Sequence, residues 1–134
     1  MDLSYHVTEL KSLTRYRSRL KEQLARLKIS LARIIEIVFP ELGDCVYSIN
    51  QKSTMALLYE FPSKELIANA HLTRLTNLLK DNSKGRYSKD KALEIRKVAS
   101  NSIGTSSDAS SFELVQTIDM INFYSSKIYE LDAK

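Results

Sequence analysis

A seven-residue repeat of apolar side chains dominates the first third of the chain. With Leu10 at heptad position a, apolar residues occupy nearly every a and d position up to Val38, and residues 3–39 contain neither Pro nor Gly. A repeat sustained in this way is typical of a coiled-coil helix. The predicted oligomerisation seam consists of Leu10, Leu13, Leu20, Leu24, Leu27, Leu31, Ile34 and Val38.

The predicted first helix covers residues 3–39. One polar residue interrupts its apolar seam, and a proline sets its end. Arg17 occupies an a position inside the seam. Its side chain either extends along the helix until the guanidinium reaches water, or it sets the register and orientation of pairing. Pro40 disfavours the α conformation at the residue before it, so the helix is expected to end at Phe39.

Residues 41–107 predict a small lobe of short helices. Pro62 and the polar turn around Gly85 separate apolar stretches that have helical spacing. Ser63 is expected to cap one of these helices, and Gly104 to follow the last of them in the left-handed C′ position. A final helix is predicted over residues 110–134, because Ser110 and Glu113 match a capping box.

The final helix carries an apolar stripe that is long enough to lie antiparallel against the C-terminal part of the first helix. The chain is therefore predicted to be all-α and to form a single helical domain over residues 1–134. In it the two long helices form a stalk, and residues 41–107 form a helical lobe between them. The scarcity of Gly (3) and Pro (2) agrees with this fold class. Either a second copy or the final helix of the same chain could fill the seam.

Positive charge is concentrated on the first helix, although the net charge of the whole chain is only +4. Arg19, Arg26 and Arg33 all fall at heptad position c, at intervals of roughly 10 Å along the helix. Such a line can bind phosphates, because guanidinium matches phosphate oxygens bidentately. The alternative is a solvated face that keeps a coiled coil soluble. The candidate nucleic-acid-binding residues, which include a second group near Gly85, are Lys11, Arg15, Arg19, Arg26, Arg33, Lys84 and Arg86.

Residues for catalysis or metal binding do not form any recognisable motif. The single cysteine, Cys45, has no histidine at a spacing that suggests a nucleophile and its base. Three isolated glycines cannot build a phosphate-binding loop, and no His/Cys cluster has the spacing of a metal site. We therefore expect neither an active site nor a bound metal or cofactor in this segment. No apolar run approaches the ~20 residues that span a bilayer, so no membrane partner is expected.

Four short motifs occur along the chain in a characteristic order: "LTRYRSRL", "FPEL", "LLYEFPS" and "LLKDNSKGR". This order resembles the region between the two catalytic domains of transposases of the insertion-sequence-110 family, which includes the Piv-type DNA invertases. The likeness covers nearly the whole chain. Both ends of the chain lie inside helical patterns, and the resemblance accordingly implies a segment of a longer protein.

The resemblance also implies a function. In that family a RuvC-like N-terminal domain supplies DEDD carboxylates for a divalent metal, with Mg²⁺ the expected ion, and a C-terminal domain supplies a catalytic serine. Neither set has a counterpart here, so no catalytic residue is carried over. The implied role is a non-catalytic linker and oligomerisation domain of a bacterial, cytoplasmic transposase (a site-specific recombinase encoded by a mobile element). Its expected partners are a second copy of itself, DNA and a guide RNA. The alternative is a stand-alone coiled-coil interaction module without a nucleic-acid role.

Overall fold

The structure, a computed structural model, describes residues 3–133, with side chains from residue 6 onward. Seven α-helices and no strand occur within this range, so the predicted all-α class is confirmed. Residue 134, where the final helix was expected to end, lies outside the described range. The helices are α1 (Leu3–Val38), α2 (Leu42–Cys45), α3 (Lys52–Glu60), α4 (Lys64–Ala68), α5 (Leu72–Asn82), α6 (Lys89–Ser100) and α7 (Asp108–Asp132).

The two long helices, α1 and α7, pack against each other as an antiparallel stalk. Arg17 of α1 contacts Asp132 at the end of α7. At the other end, the Thr105 amide, just before α7, donates to the Ile37 carbonyl at 2.8 Å. The seam of α1 therefore meets the apolar stripe of α7, where Leu114, Ile118 and Ile121 are buried. Apolar burial along this contact is the main source of its stability.

The α1 helix extends beyond the end of α7. It has 36 residues against 25 in α7, and α7 ends beside Arg17. The residues of α1 before Arg17 therefore lie past the stalk contact, over a length of about 20 Å. Leu10 and Leu13 in this projecting segment are 66% and 38% exposed.

The lobe is formed by α2 to α6, and its core is continuous with that of the stalk. Helix α3 packs against α5 and α7, while α6 packs against α2, α4 and α5. As predicted, Ser63 caps α4, because its hydroxyl accepts from the Leu66 amide at 3.1 Å. The fully buried apolar side chains of the lobe include Leu57, Ile67, Leu75 and Ile95.

The start of α7 differs from the prediction. The helix begins at Asp108, two residues before the expected Ser110. Ser107 is the N-cap, since its hydroxyl accepts from the Ser110 amide at 3.0 Å. A run of serines offers several possible caps, and the extended backbone of Ser107 (φ −146°, ψ 163°) selects this one.

Gly104 also has a different role from the predicted one. Helix α6 ends at Ser100, and Gly104 is buried where the following loop crosses the end of α1. Glu41 holds the same loop, because its carboxylate accepts from the Ser102 hydroxyl and from the Ile103 amide. These hydrogen bonds lower the pKa of Glu41.

The first helix itself ends at Val38, one residue before the predicted Phe39 and two before Pro40.

Candidate nucleic-acid interface

A row of exposed basic side chains follows α1 on the side that faces away from α7. All members of this row are exposed, and because they avoid the a and d positions they do not contribute to the stalk contact. They extend over about 33 Å of helix. We call them the basic stripe: Lys11, Arg15, Arg19, Arg26 and Arg33.

Acidic side chains do not neutralise the basic stripe. Among the described residues, the ion pairs join Arg17 to Asp132, Arg74 to Glu60, Lys91 to Glu94 and Lys127 to Glu130, and none includes a stripe residue. The Arg19 guanidinium lies 5.8 Å from the centroid of the Tyr16 ring, a cation–π contact that leaves its charge in place. Glu22 lies one helical turn from Arg19 and from Arg26 but forms no ion pair with either, so the stripe presents a predominantly positive surface to solvent.

Arg17 is on the same helix but does not belong to the stripe. Its Nε donates to Asp132 Oδ1 at 2.6 Å and its Nη2 to Asp132 Oδ2 at 3.2 Å. This bidentate hydrogen bonding lowers the pKa of Asp132 and raises that of Arg17. The pair joins the two long helices at one position along their length, so the geometry favours the register-setting interpretation of Arg17.

The second basic group lies on the lobe. Lys84 and Arg86 are exposed in the turn between α5 and α6, where Lys84 and Gly85 have φ values of 55° and 80°. The Gly85 amide closes the turn by donating to the Lys80 carbonyl at 2.9 Å. The turn belongs to the lobe, whereas the stripe belongs to the stalk.

Two neighbours of this turn have structural roles. The Tyr87 hydroxyl is buried, accepts from the Tyr47 amide at 3.1 Å and donates to Gln51 Oε1 at 3.0 Å. Lys91 Nζ donates to the Cys45 carbonyl at 2.6 Å. Both contacts attach the start of α6 to the α2–α3 region, so neither side chain is available to bind a ligand.

The predicted oligomerisation seam divides into two parts. Leu20 is buried, and Leu31, Ile34 and Val38 are buried in the core shared with α7, against which Leu24 and Leu27 pack. Leu10 and Leu13 remain exposed on the projecting segment. The final helix of the same chain therefore fills most of the seam. Pairing of Leu10 and Leu13 with a second copy stays a prediction.

A cleft of about 640 Å³ separates the stalk from the lobe. Helices α1, α3, α5 and α7 and the loop before α3 provide its walls, and the residues come from positions as far apart as Lys28 and Ser125. No local motif could have revealed it, because a cleft of this kind is created by the packing of distant segments. Its polar lining consists of two lysines, two acidic residues, three asparagines, one serine and one tyrosine above an apolar floor.

Among the residues that the structure describes, no three His, Cys, Asp or Glu side chains lie close enough together to hold a metal ion. Cys45 is buried, and burial raises the pKa of its thiol, which disfavours the nucleophilic thiolate. None of the described helices combines the length and the apolar character that crossing a membrane requires.

The basic stripe is the best-defined candidate for a nucleic-acid interface, since it is exposed, ordered along one helix and not neutralised. Comparison of the chain with protein-family models, with curated proteins and with solved structures found no match.

Proposed function

We propose that this chain is a non-catalytic helical domain of a DNA transposase that supports subunit association and contacts DNA or RNA during transposition. The observation that carries the proposal is the basic stripe, which faces away from α7 and forms no ion pair with any described carboxylate. The order of motifs that resembles insertion-sequence-110 transposases supports the choice of protein class. In this proposal the protein works in the bacterial cytoplasm.

The geometry of the stalk suits phosphate binding. Between residues 11 and 33 the helix carries eight Lys or Arg residues and one Glu, Glu22. Helix α7 packs on the apolar face of α1 from Leu20 to Val38, so the part of the stripe that carries Arg26 and Arg33 is supported before a ligand arrives. A positive rod of this kind releases condensed counterions when it binds the phosphates of a duplex or a folded RNA. Phosphate binding and the packing against α7 use different faces of α1, so both can occur at the same time.

The projecting segment of α1 supports the proposed subunit association. Leu10 and Leu13 continue the apolar seam past the end of α7, and they are exposed. A second copy that covered them would bury apolar surface and would remove few polar groups from water. The same exposed leucines also fit the alternative, a stand-alone interaction module without a nucleic-acid role. Nucleic-acid titrations separate the two functions.

The decisive variant replaces Arg19, Arg26 and Arg33 by Gln, which keeps good helix propensity and removes three charges. We expect weaker binding to a DNA duplex and to an RNA hairpin. We also expect the slope of log affinity against log salt concentration to become shallower, by up to about 2.7 for duplex DNA, because each phosphate contact contributes about 0.9. Fluorescence anisotropy titrations at two salt concentrations measure both effects.

A matched control replaces Lys89, Arg96 and Lys97 of α6 by Gln, which removes the same charge from outside the basic stripe. We expect a much smaller loss of affinity and little change in the salt slope. Equal losses in the two variants would show that net charge alone governs binding. Absence of any binding by the unmodified protein at low salt would contradict the nucleic-acid role and leave the interaction module.

A further inference from the structure

We propose that the cleft between the stalk and the lobe binds a nucleotide, with its lysines contacting the phosphate and its asparagines contacting the base. The cleft lies on a different surface from the basic stripe and does not depend on it. Its volume of about 640 Å³ falls within the range typical of small-molecule sites. Binding sites of this kind combine an apolar surface with a few converging polar groups.

Two lysines give the cleft its attraction for an anion. Lys28 reaches it from α1 and Lys52 from the start of α3, and within the described residues neither makes an ion pair. Of the two carboxylates in the lining, Glu60 pairs with Arg74, whereas Asp119 keeps its negative charge beside the Tyr59 hydroxyl. Two lysines against this one unpaired carboxylate leave the lining with a net positive charge, which suits a phosphate group.

Three side-chain amides give the cleft the ability to recognise a base. Those of Asn50 and Asn122 have no hydrogen-bond partner among the described protein groups. Asn82 donates from Nδ2 to the Leu78 carbonyl at 2.8 Å, which leaves its Oδ1 as an acceptor. An amide offers a donor and an acceptor side by side, as the edge of a nucleobase does.

The floor of the cleft is apolar and suits the flat face of a base. It includes Met55, Leu78 and Ile118, and the half-exposed ring of Tyr59 lies beside them. Bases bind readily to such surfaces through stacking and dispersion. The hydrogen bond to Asp119 raises the pKa of Tyr59, so the phenol stays uncharged and Asp119 is the negative group beside it.

A metal ion or a purely apolar ligand fits the cleft less well. A metal ion would find only one unpaired carboxylate, Asp119, because Glu60 pairs with Arg74. A hydrocarbon would displace water from the lysines and the amides without replacing the hydrogen bonds that the water makes. A nucleotide satisfies both kinds of surface. It could be a free mononucleotide or an unpaired nucleotide within a single strand, and titration distinguishes these two sources.

Calorimetric titration of the full chain with AMP, GMP, CMP and UMP tests the proposal, together with inorganic phosphate and short single-stranded RNA and DNA. At least one nucleotide ligand should bind saturably and at least tenfold more tightly than inorganic phosphate, which lacks a base. Replacing Lys52 by Gln or Asn122 by Ala should weaken that binding at least tenfold. The matched controls, Lys89→Gln and Asn77→Ala, alter exposed residues outside the cleft and should change it less than twofold.

The outcomes separate the ligand sources and the two proposals. Comparable affinity for mononucleotides and strands indicates a free nucleotide, whereas binding confined to strands indicates an unpaired nucleotide within one. No saturable binding, phosphate binding as tight as nucleotide binding, or insensitivity to the two cleft variants would overturn the site. If the Arg19, Arg26 and Arg33 variant loses duplex binding while the cleft variants bind every ligand as the unmodified protein does, the cleft is overturned and the stripe is supported. If instead the cleft variants lose nucleotide binding while the arginine variant keeps its duplex binding, only the stripe is overturned.

Discussion

Gly104 lies where the loop after α6 crosses the C-terminal end of α1. A Cβ atom at this position would come within 2.2 Å of the Val38 carbonyl oxygen and 2.6 Å of the Val38 carbonyl carbon. Both are backbone atoms, so no side-chain rotation relieves the clash. The next residue, Thr105, donates its amide to Ile37, and this hydrogen bond depends on the same close approach. Glycine is required here because two backbone segments come into contact.

We expect Gly104→Ala to lower the free energy of unfolding by about 1–3 kcal/mol, because the loop must move away from α1. Urea unfolding followed by circular dichroism measures the change. Gly43→Ala is the control, since a Cβ at Gly43 would have no neighbour within 4 Å. That variant should be neutral or more stable by about 0.4–1 kcal/mol. Indistinguishable midpoints for the two variants would contradict the close approach.

At the scale of elements, α1 has three distinct surfaces. Its a and d positions from Leu20 to Val38 pack against α7, and its basic stripe faces solvent. Its N-terminal part projects beyond the stalk. Arg17 lies at the boundary between the packed part and the projecting part, where it pairs with Asp132. The register of the two helices therefore depends on an ion pair as well as on apolar packing.

This ion pair predicts a dependence of stability on pH. Because the folded-state pKa of Asp132 is lowered from its usual 3.8, the pair stabilises the fold above that pH. Its contribution is lost as the pH falls through the lowered pKa. We expect thermal unfolding to show a lower midpoint for Asp132→Asn than for the unmodified protein at neutral pH. The difference should shrink progressively in acid, as the pH falls through the lowered pKa of Asp132.

Glu130→Gln is the matched control for this measurement, since Glu130 pairs with Lys127 within α7 and not across the stalk. Its effect on the midpoint should be smaller at neutral pH. High salt should reduce the effect of Asp132→Asn, because both partners are exposed. A difference between Asp132→Asn and the unmodified protein that persists unchanged in acid would exclude charge pairing as the cause.

At the scale of the whole molecule, a single chain supplies both helices of the stalk. Apolar residues of α7 cover the seam of α1 as far as Leu20, and the lobe closes the other end. The remaining seam residues, Leu10 and Leu13, are available to another molecule. Subunit association is therefore expected to use the tip of the stalk and to leave the fold of each chain intact.

Analytical ultracentrifugation over a range of concentrations tests this association. We expect the unmodified protein to associate reversibly. Replacing both Leu10 and Leu13 by Glu should raise the dissociation constant at least tenfold, because association would bury two unpaired charges. Ile29 and Ile37 serve as the control pair, since they are similarly exposed on α1 outside the seam. Their replacement by Glu should have little effect, and a strictly monomeric unmodified protein would contradict the proposal.

The sequence predicted the helices well because their signals are local. The spacing of leucines in α1, the effect of Pro40 and the cap at Ser63 depend on neighbouring residues, and the structure agrees with each within one or two positions. The start of α7 was predicted two residues late, because several adjacent serines could serve as the cap. Gly104 was misassigned since its neighbour, Val38, is distant along the chain.

By itself, then, the sequence determined the all-α class, the faces of α1 and the positions of the exposed basic residues, because a helical period arranges side chains without reference to the rest of the molecule. The tertiary structure alone decided what covers the seam, which partner Arg17 takes and where the cleft lies. An apolar seam can be filled by any matching stripe, so its partner depends on how α7 and the lobe pack. The cleft has the same origin, since Lys28, Lys52 and Asn122 meet only when the stalk and the lobe come together.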